Sequence, residues 1–345
     1  MDSVTSQDRS TIAYLRSPQA IRDRCGQLFV LAQSGQSQYF RCDLTQLAPV
    51  ADYVLQVTRT SYPNLHIPFH SRWRHFEVGN IARMAQLDQL LAKQSALETA
   101  KAKFDLVIPS VLLDAGAGDR WQYLEPATGQ KWTRSEGLAI ASFDLFCQGK
   151  FSSNPANPYQ ADAPGLQTLT PQILAAEFQV STENPLIGLE GRSQLLQKLA
   201  QTLQNRPDLF GSPARLGNLV DYLVQQSQAN QLPATTVLST VLEGLGDIWS
   251  GRTTLAGVNL GDVWPHSALP IAAPGSQLVP FHKLSQWLTY SLLEPLQELG
   301  LEITHLDAMT GLPEYRNGGL CLDLGLLQLK KRSPISAAPL PLAPT

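Results

Sequence analysis

Two short phrases combine residue types that suit the binding of a polar or anionic ligand. Residues 67–77 read IPFHSRWRHFE and residues 279–287 read VPFHKLSQW, so each has Pro-Phe-His, then a cation and a Trp. His, Arg, Lys and Trp are seldom buried without partners, and their clustering beside apolar residues predicts a pocket wall. We expect the two phrases to converge on one pocket, with Asp114 between them in sequence.

The first phrase holds the densest cationic cluster of the chain, formed by His70, Arg72, Arg74 and His75. Arginine suits the bidentate recognition of phosphate or carboxylate. The two histidines are five residues apart, a poor spacing for a metal on a helix, so we expect no metal site. A solvated turn between helices is the alternative interpretation.

An acidic residue followed by small residues forms a second candidate. Asp114 follows the apolar segment 111–113 and precedes Ala-Gly-Ala-Gly. A carboxylate at such a place could act as a general base or stabilise a developing cation. The segment lacks the third glycine of a dinucleotide fingerprint. An Asp that caps the next turn is the alternative, and Trp121 and Glu125 nearby favour a site.

The C-terminal third contributes the remaining candidates. Trp264 and His266 lie in a predicted loop, and His282 and Lys283 begin a long predicted helix whose amides could hold a phosphate. Residues 310–319, TGLPEYRNGG, place Glu314, Tyr315 and Arg316 on a rigid turn that suits a site. A structural loop histidine, a polar first turn and an ordinary surface turn are the respective alternatives.

Composition excludes several classes of protein. Only 16% of the 345 residues are charged and the net charge is -3, which gives no general attraction to nucleic acid or an anionic membrane. No apolar run predicts a membrane span or signal core, so we expect a cytoplasmic protein. The four cysteines are far apart and predict free thiols. Gly-x-Ser-x-Gly, P-loop and His-Glu-x-x-His motifs are absent from the sequence.

The spacing of apolar residues predicts a mainly α fold, a helical enzyme with a few short strands and long functional loops. We expect one catalytic domain over 1–329, with a possible subdomain break at the Pro-rich loop 150–166, and a disordered or divergent tail over 330–345. Residues 320–329 suit a strand or a final helix. The predicted helices are 20–28, 47–57, 77–103, 133–146, 170–178, 190–204, 215–226, 235–249 and 281–299.

Five separated motifs resemble the uracil-catabolism family of fungi and bacteria, from about Pro18 to Leu329. The motifs are IPFHSRWRHF at 67–76, SVLLDAGAG at 110–118, NPLIG at 184–188, VPFHKLSQW at 279–287 and TGLPEYRNGG at 310–319. A second similarity is to helical hydrolases that salvage queuine from its nucleotide, and it involves Thr170-Pro171, Asn184-Pro185-Leu186 with Gly191-Arg192, and residues 281–283 followed by Gln286. Those hydrolases are N-glycosidases.

The resemblance implies cleavage of the N-glycosidic bond of a ribosylurea-type intermediate, which we expect to be 5′-phosphorylated, with release of urea and no cofactor or metal. Asp114 would be the catalytic carboxylate, with Glu314 or Asp307 as the second. A non-catalytic scaffold for a partner resembling GTP cyclohydrolase II, and an amidohydrolase, are the alternatives. The predicted substrate-binding residues are His70, Arg72, Trp73, Arg74, His75, Trp121, Trp264, His266, His282, Lys283, Gln286, Tyr315 and Arg316, with Trp287 as a further pocket wall.

Overall fold

The computed structural model describes residues 5–312 and 314–330, and their regular structure is mainly helical, as predicted. The α-helices are α1 Ser6–Leu15, α2 Pro18–Gln33, α3 Leu47–Ser61, α4 Arg72–Phe76, α5 Arg83–Leu91, α6 Ala96–Leu112, α7 Arg134–Cys147, α8 Ala163–Gln167, α9 Pro171–Glu177, α10 Leu189–Asn205, α11 Pro207–Phe210, α12 Leu219–Gln226, α13 Ala234–Gly244, α14 Lys283–Glu298 and α15 Tyr315–Asp323. No described helix is long and apolar enough to cross a membrane.

The strands are short and pair in twos. They are β1 Phe40–Cys42, β2 Gln122–Leu124, β3 Lys131–Thr133, β4 Gln231–Pro233, β5 Thr254–Leu255, β6 Val258–Asn259, β7 Val263–Pro265, β8 Leu278–Pro280, β9 Glu302–Thr304 and β10 Leu327–Leu329. The pairs β1–β10, β2–β3, β5–β6 and β7–β8 are antiparallel, and β4–β9 is parallel. Residues 320–329 thus contain both predicted alternatives, the end of α15 and β10.

The chain forms two compact units. The smaller unit takes the described residues of 1–69, 252–283 and 310–345, and the larger unit takes 70–251 and 284–309. The loop 150–166 lies within the larger unit. The single catalytic domain and its possible break stay predictions, and of the predicted tail all but Lys330 lies outside the described residues.

Distant parts of the chain build the core of the smaller unit. Ile12 and Leu15 on α1 are buried against Leu260, Val263 and Leu278. Helix α2 packs against β8. The hydrophobic effect therefore joins segments that are more than 200 residues apart in sequence.

Helix α6 is the buried axis of the larger unit. Every residue from Ala100 to Leu112 is buried, and α6 packs against α4, α7, α10 and α12. The helix predicted over 77–103 is wrong, because Ser95 caps a new helix through its hydroxyl, which accepts from the Glu98 amide at 3.2 Å. The chain then stays helical through Pro109 to Leu112. Burial on all sides removes the amphipathic pattern on which the prediction relied.

Buried ion pairs fix α6 to its neighbours. Asp105 accepts from Arg215 Nε and from the Gly217 amide, both at 2.7 Å. Burial raises the pKa of Asp105 to about 7, although Arg215 acts in the opposite direction. A Cβ at Gly217 would lie 2.6 Å from the Lys101 carbonyl oxygen, so this close approach requires glycine. The result is a rigid α6, whose C-terminal end leads directly into Asp114.

Candidate functional site

Helix α4 carries Arg72 and is anchored on α14 by backbone and indole hydrogen bonds. The Arg72 amide donates to Ser291 Oγ at 2.9 Å, and Trp73 Nε1 donates to the Ser291 carbonyl at 2.7 Å. Trp73 itself is buried. These bonds fix the position of a helix that is only five residues long.

The guanidinium of Arg72 is completely buried beside an acidic partner. Its Nε donates to Ser110 Oγ and its Nη1 to Asp114 Oδ2, both at 2.7 Å. Burial lowers the pKa of Arg72 to about 10, and Asp114 opposes that shift. Arg72 is therefore still a cation at neutral pH, and Asp114 balances its charge.

Asp114 is held at both carboxylate oxygens. Oδ2 accepts from Arg72 and Oδ1 accepts from Ser135 Oγ at 2.9 Å, while the side chain is 8% exposed. The next residues, Ala115 and Gly116, are exposed, and no heavy atom outside Gly116 and its two chain neighbours lies within 4 Å of where a Cβ of Gly116 would be. A fixed carboxylate beside an open, small-residue loop can accept a proton or stabilise a cation that approaches from the loop.

Arg192, on α10, holds the loop that follows Asp114. Its guanidinium donates to the carbonyls of Leu113 at 3.0 Å, Ala115 at 2.8 Å and Gly116 at 3.3 Å, and also to that of Ile187. Arg192 is 3% exposed. Because one side chain serves several carbonyls of one turn, the loop is fixed in a single conformation.

Trp287 lies at the centre of a cationic and aromatic cluster, which we call the Trp287 cluster. It consists of Trp287, His70, Arg72 and His75. The Arg72 Cζ is 5.6 Å from the centroid of the Trp287 ring, the His75 ring centroid is also 5.6 Å away, and that of His70 is 6.2 Å away. Burial, and then the Arg72 charge, lower the pKa of His75 below its usual value, although Asp114, Glu136 and a hydrogen bond to the Ser71 backbone act in the opposite direction.

Three polar atoms of the Trp287 cluster are buried without a hydrogen-bond partner. They are Arg72 Nη2, His75 Nδ1 and Trp287 Nε1. In the part of the chain that the structure describes, only two other buried side-chain nitrogens lack a hydrogen-bond partner, Arg24 Nε and His282 Nδ1. Unpaired polar atoms are thus concentrated at one place in the larger unit.

Arg74 is partly exposed and pairs with two carboxylates. Its guanidinium pairs with Glu294 at 3.0 Å and with Glu77 at 3.2 Å, and its side chain is 40% exposed. The Ser71 hydroxyl donates to the other oxygen of Glu294. Burial raises the pKa of Glu294. Two carboxylates therefore already balance the charge of Arg74.

Three other predicted residues of the larger unit occupy different surroundings. Trp121 is buried in the core and donates from Nε1 to the Phe178 carbonyl at 2.9 Å. Gln286 is buried on α14, one residue before Trp287. Asp307 is exposed in a short 3₁₀ turn, Leu306–Ala308. Their roles in a site stay predictions.

The other predicted residues belong to the smaller unit. His282 is buried and its Nε2 donates to the Leu15 carbonyl at 2.8 Å. Trp264 is partly exposed and donates from Nε1 to Asp262 at 2.8 Å, while His266 Nδ1 accepts from the Ala268 amide at 3.2 Å. Trp287 of the second phrase contacts His70 and His75 of the first. Because His70 lies in the larger unit and His282 in the smaller, the convergence of these two histidines on one pocket stays a prediction.

Lys283 and the loop before α15 form a group of their own in the smaller unit. Lys283 Nζ donates to Glu314 Oε2 at 2.8 Å and lies 5.7 Å from the centre of the Tyr315 ring. The Lys283 amide donates to Asp262 Oδ2 at 3.0 Å. Glu314 Oε1 also accepts from the Arg316 amide at 3.5 Å. The carboxylate of Glu314 therefore caps α15 and pairs with Lys283.

Sequence reasoning missed several residues that build the site. Ser110 is the single polar residue of the apolar stretch 106–113, which is a signal that could have pointed to it. Ser135 and Glu136 open α7 and carried no such signal, although Glu136 raises the pKa of both Arg72 and His75 by its charge. The anchor Ser291 lies within the Leu-rich α14. The described residues contain no group of three or more His, Cys, Asp or Glu that could hold a metal ion.

Comparison with known proteins places the chain in a family. Residues 14–338 match the sequence profile of a family described as "Protein of unknown function (DUF1688)". The chain belongs to this family. A relative named "Protein urg3", from Schizosaccharomyces pombe, is 42% identical over 93% of this chain and 78% of its own length.

A second relative of the family carries a more specific name. "Uracil catabolism protein 4" of Lachancea kluyveri is 38% identical over 92% of this chain and 76% of its own length. The resemblance to uracil-catabolism proteins that the five motifs predict is thereby confirmed. The weaker similarity to queuine-salvage hydrolases stays a prediction.

Proposed function

We propose that the protein acts in uracil catabolism as an N-ribosyl hydrolase, which releases urea from a ribosylurea intermediate. The observation that carries the proposal is the Asp114 carboxylate, fixed by Arg72 and Ser135 beside an exposed loop of small residues. The name of the relative from Lachancea kluyveri supports the pathway.

The chemistry requires a carboxylate next to the sugar. Cleavage of the bond between the ribose C1′ and the urea nitrogen leaves an oxocarbenium-like carbon, which a carboxylate stabilises by charge. Water then adds its oxygen to C1′, and its proton goes to the departing urea nitrogen. Asp114 is the proposed stabilising group, with Arg72 as the positioning residue that orients it.

A second carboxylate would activate the water or protonate the leaving group, as paired carboxylates do in O-glycosidases. Glu314 and Asp307 remain proposals for this role. Glu136 joins them, because its charge already acts on Arg72 and His75 within the larger unit.

The test is incubation of the purified protein with ribosylurea and with its 5′-phosphate, while free urea and free sugar are measured. We expect urea release by the wild type and a loss of about 100-fold or more in Asp114→Asn, as is typical when a group that stabilises transition-state charge is removed. Asp119→Asn, an exposed acid in the following loop, is the matched control and should keep full activity. Equal turnover by Asp114→Asn would contradict the assignment of Asp114.

The products separate the two rival functions. An amidohydrolase acting on the urea carbonyl would release ammonia and carbon dioxide in place of urea. A scaffold for an enzyme resembling GTP cyclohydrolase II would bind the intermediate without turning it over. Either result would overturn the N-ribosyl hydrolase proposal.

A further inference from the structure

The Trp287 cluster concentrates buried hydrogen-bonding atoms that have no partner in one place. Arg72 Nη2, His75 Nδ1 and Trp287 Nε1 are all buried and have no partner. A buried polar group without a partner carries a substantial free-energy cost, and most such groups in native structures are paired. Three in one cluster indicate that a further polar group binds there.

The spacing of the cluster fits a small group. The Arg72 Cζ and the His75 ring centroid each lie 5.6 Å from the centroid of the Trp287 ring. Hydrogen bonds between heavy atoms span about 2.7–3.2 Å. These are direct contacts between the side chains, so a ligand group of two or three heavy atoms beside them would be within hydrogen-bonding reach of more than one of them.

The charge balance of the cluster disfavours an anion. Asp114 neutralises Arg72, and the additional negative charge of Glu136 acts on both Arg72 and His75. Arg74 pairs with Glu294 and Glu77. Arg192, whose charge also interacts with Asp114, already donates to four backbone carbonyls. A phosphate group would therefore bring a charge of about -1.5 to -2 beside two carboxylates, where the nearby arginines already have partners.

The donors and acceptors match a neutral planar group. Arg72 Nη2 and Trp287 Nε1 are donors only, whereas a nitrogen of a neutral imidazole either donates or accepts. A carbonyl oxygen accepts from the two donors, and an adjacent N–H can donate to His75 Nδ1. An amide or urea carries both functions in one plane.

We infer that Arg72 Nη2, Trp287 Nε1 and His75 Nδ1 form a subsite for the neutral ureido group of the substrate and that this subsite excludes phosphate. The choice of a ureido ligand rests on the proposed function. If the substrate is phosphorylated, its phosphate binds elsewhere. Hydrogen bonds from Arg72 and Trp287 to the urea carbonyl would also draw electron density from the leaving nitrogen.

The test follows the indole N–H of Trp287 by ¹H–¹⁵N NMR of the wild-type chain, with N-ethylurea as a probe that contains no sugar and no glycosidic bond. Trp287→Phe identifies the resonance among those of the six tryptophans. We expect N-ethylurea to shift this resonance at millimolar concentration, and inorganic phosphate to leave it unchanged. A shift on phosphate, or none on N-ethylurea, would overturn the subsite.

Two variants measure how much the Trp287 indole N–H contributes to binding. Trp287→Phe keeps an aromatic ring but removes one donor, and should weaken N-ethylurea binding about 3- to 10-fold. Trp132→Phe is the matched control, because its indole already donates to Glu125 at 3.1 Å, and it should bind as the wild type does. Equal weakening in both variants would contradict a local role of Trp287.

The outcome is separable from that of the proposed function. Hydrolysis of ribosylurea with an unmoved Trp287 resonance would overturn the subsite and leave the function intact. A shifted resonance without hydrolysis would support the subsite in a binding protein and overturn the hydrolase.

Discussion

At the scale of single residues, the pair of Arg72 and Asp114 combines a structural cost with a chemical use. Arg72 has no exposed surface and the Asp114 side chain is 8% exposed. Removal of one partner from a buried pair is far more costly than removal of both, because the remaining charge stays uncompensated. A fold that keeps such a pair at the end of α6 holds its carboxylate in one orientation.

This asymmetry predicts the stability of variants. Asp114→Asn should lower the free energy of unfolding by about 3–5 kcal/mol, whereas the double variant Arg72→Met with Asp114→Asn should recover much of that loss. Denaturant unfolding followed by circular dichroism measures both. Asp119→Asn, at an exposed position, should change stability by less than about 0.5 kcal/mol. A double variant less stable than Asp114→Asn would contradict the argument.

The buried imidazole of His282 should make the free energy of unfolding depend on pH. Burial lowers its pKa below 6.5, and the nearby Asp262 opposes this while Arg16 adds to it. Its Nε2 donates to Leu15, and its Nδ1 is buried without a partner, so a second proton has no acceptor. Above pH 6.5 the folded and unfolded states are both neutral here. Below it the unfolded state takes up a proton first, so stability falls as the pH drops.

Because only one proton is involved, the free energy of unfolding should decrease by at most about 1.4 kcal/mol per pH unit. His282→Gln keeps an N–H for the Leu15 carbonyl but cannot titrate, so its unfolding free energy should decrease less between pH 6.5 and 5.5. His266→Gln, at an exposed histidine of the same unit, should keep the wild-type slope. Identical slopes for wild type and His282→Gln would show that His282 does not contribute.

At the scale of elements, α10 controls the loop after Asp114 through Arg192. Replacement by Leu leaves the carbonyls of Leu113, Ala115 and Gly116 without that donor. A net loss of about 1 kcal/mol or more per hydrogen bond would open the turn locally. The amides of 113–115, which donate to the carbonyls of 109, 111 and 113, should then exchange hydrogen about tenfold faster or more. Hydrogen exchange with mass spectrometry measures this. Gln201→Ala, on the exposed face of α10, should leave the exchange rate unchanged.

The elements also show where sequence reasoning succeeds and where it fails. Local spacing predicted α2 and α10, and in the structure α2 begins at Pro18 with Ser17 as its cap. The bounds of α6 were not predicted, for two reasons. A helix that is buried on all sides has no amphipathic stripe, and a proline such as Pro109 normally ends a helix. Long-range contacts such as Arg192 with the Asp114 loop depend on tertiary packing, which local spacing does not contain.

The candidate site divides in the same way. The residue types identified Arg72 and Asp114 separately, and only the fold brings them within 2.7 Å. Ser135 lies 21 residues after Asp114 and Ser291 lies 219 after Arg72, so their roles follow from packing alone. Glu136 follows Thr133 at the spacing of a capping box, which predicts the start of a helix and not a role in a site. The local sequence thus identified residues that could carry the chemistry of the site, but it did not identify the residues that position them.

At the scale of the whole molecule, the order of the chain constrains how the smaller unit can fold. Its described residues come from three separated segments of the sequence. Strand β1 pairs with β10, as Phe40 opposite Leu329, and Ile12 and Leu15 are buried against residues 260–278. Residues 70–251 lie between the first segment and its partners, so the contacts within the smaller unit are distant in sequence. The first segment can meet its partners only after all of 70–251 has been synthesised.

This organisation predicts that residues 1–69 do not fold alone. The isolated segment lacks Leu260, Val263 and Leu278, so Ile12 and Leu15 lose their buried surroundings. Each such side chain contributes about 1.5–3 kcal/mol when buried, a large share of the stability of a small unit. We expect a 1–69 peptide to show no cooperative thermal transition by circular dichroism, while the full chain shows one. Addition of the separate segment 252–283 should not restore the transition at micromolar concentration, because strand β1 would still lack β10. A cooperative transition in 1–69 alone would contradict the dependence of this segment on the later chain.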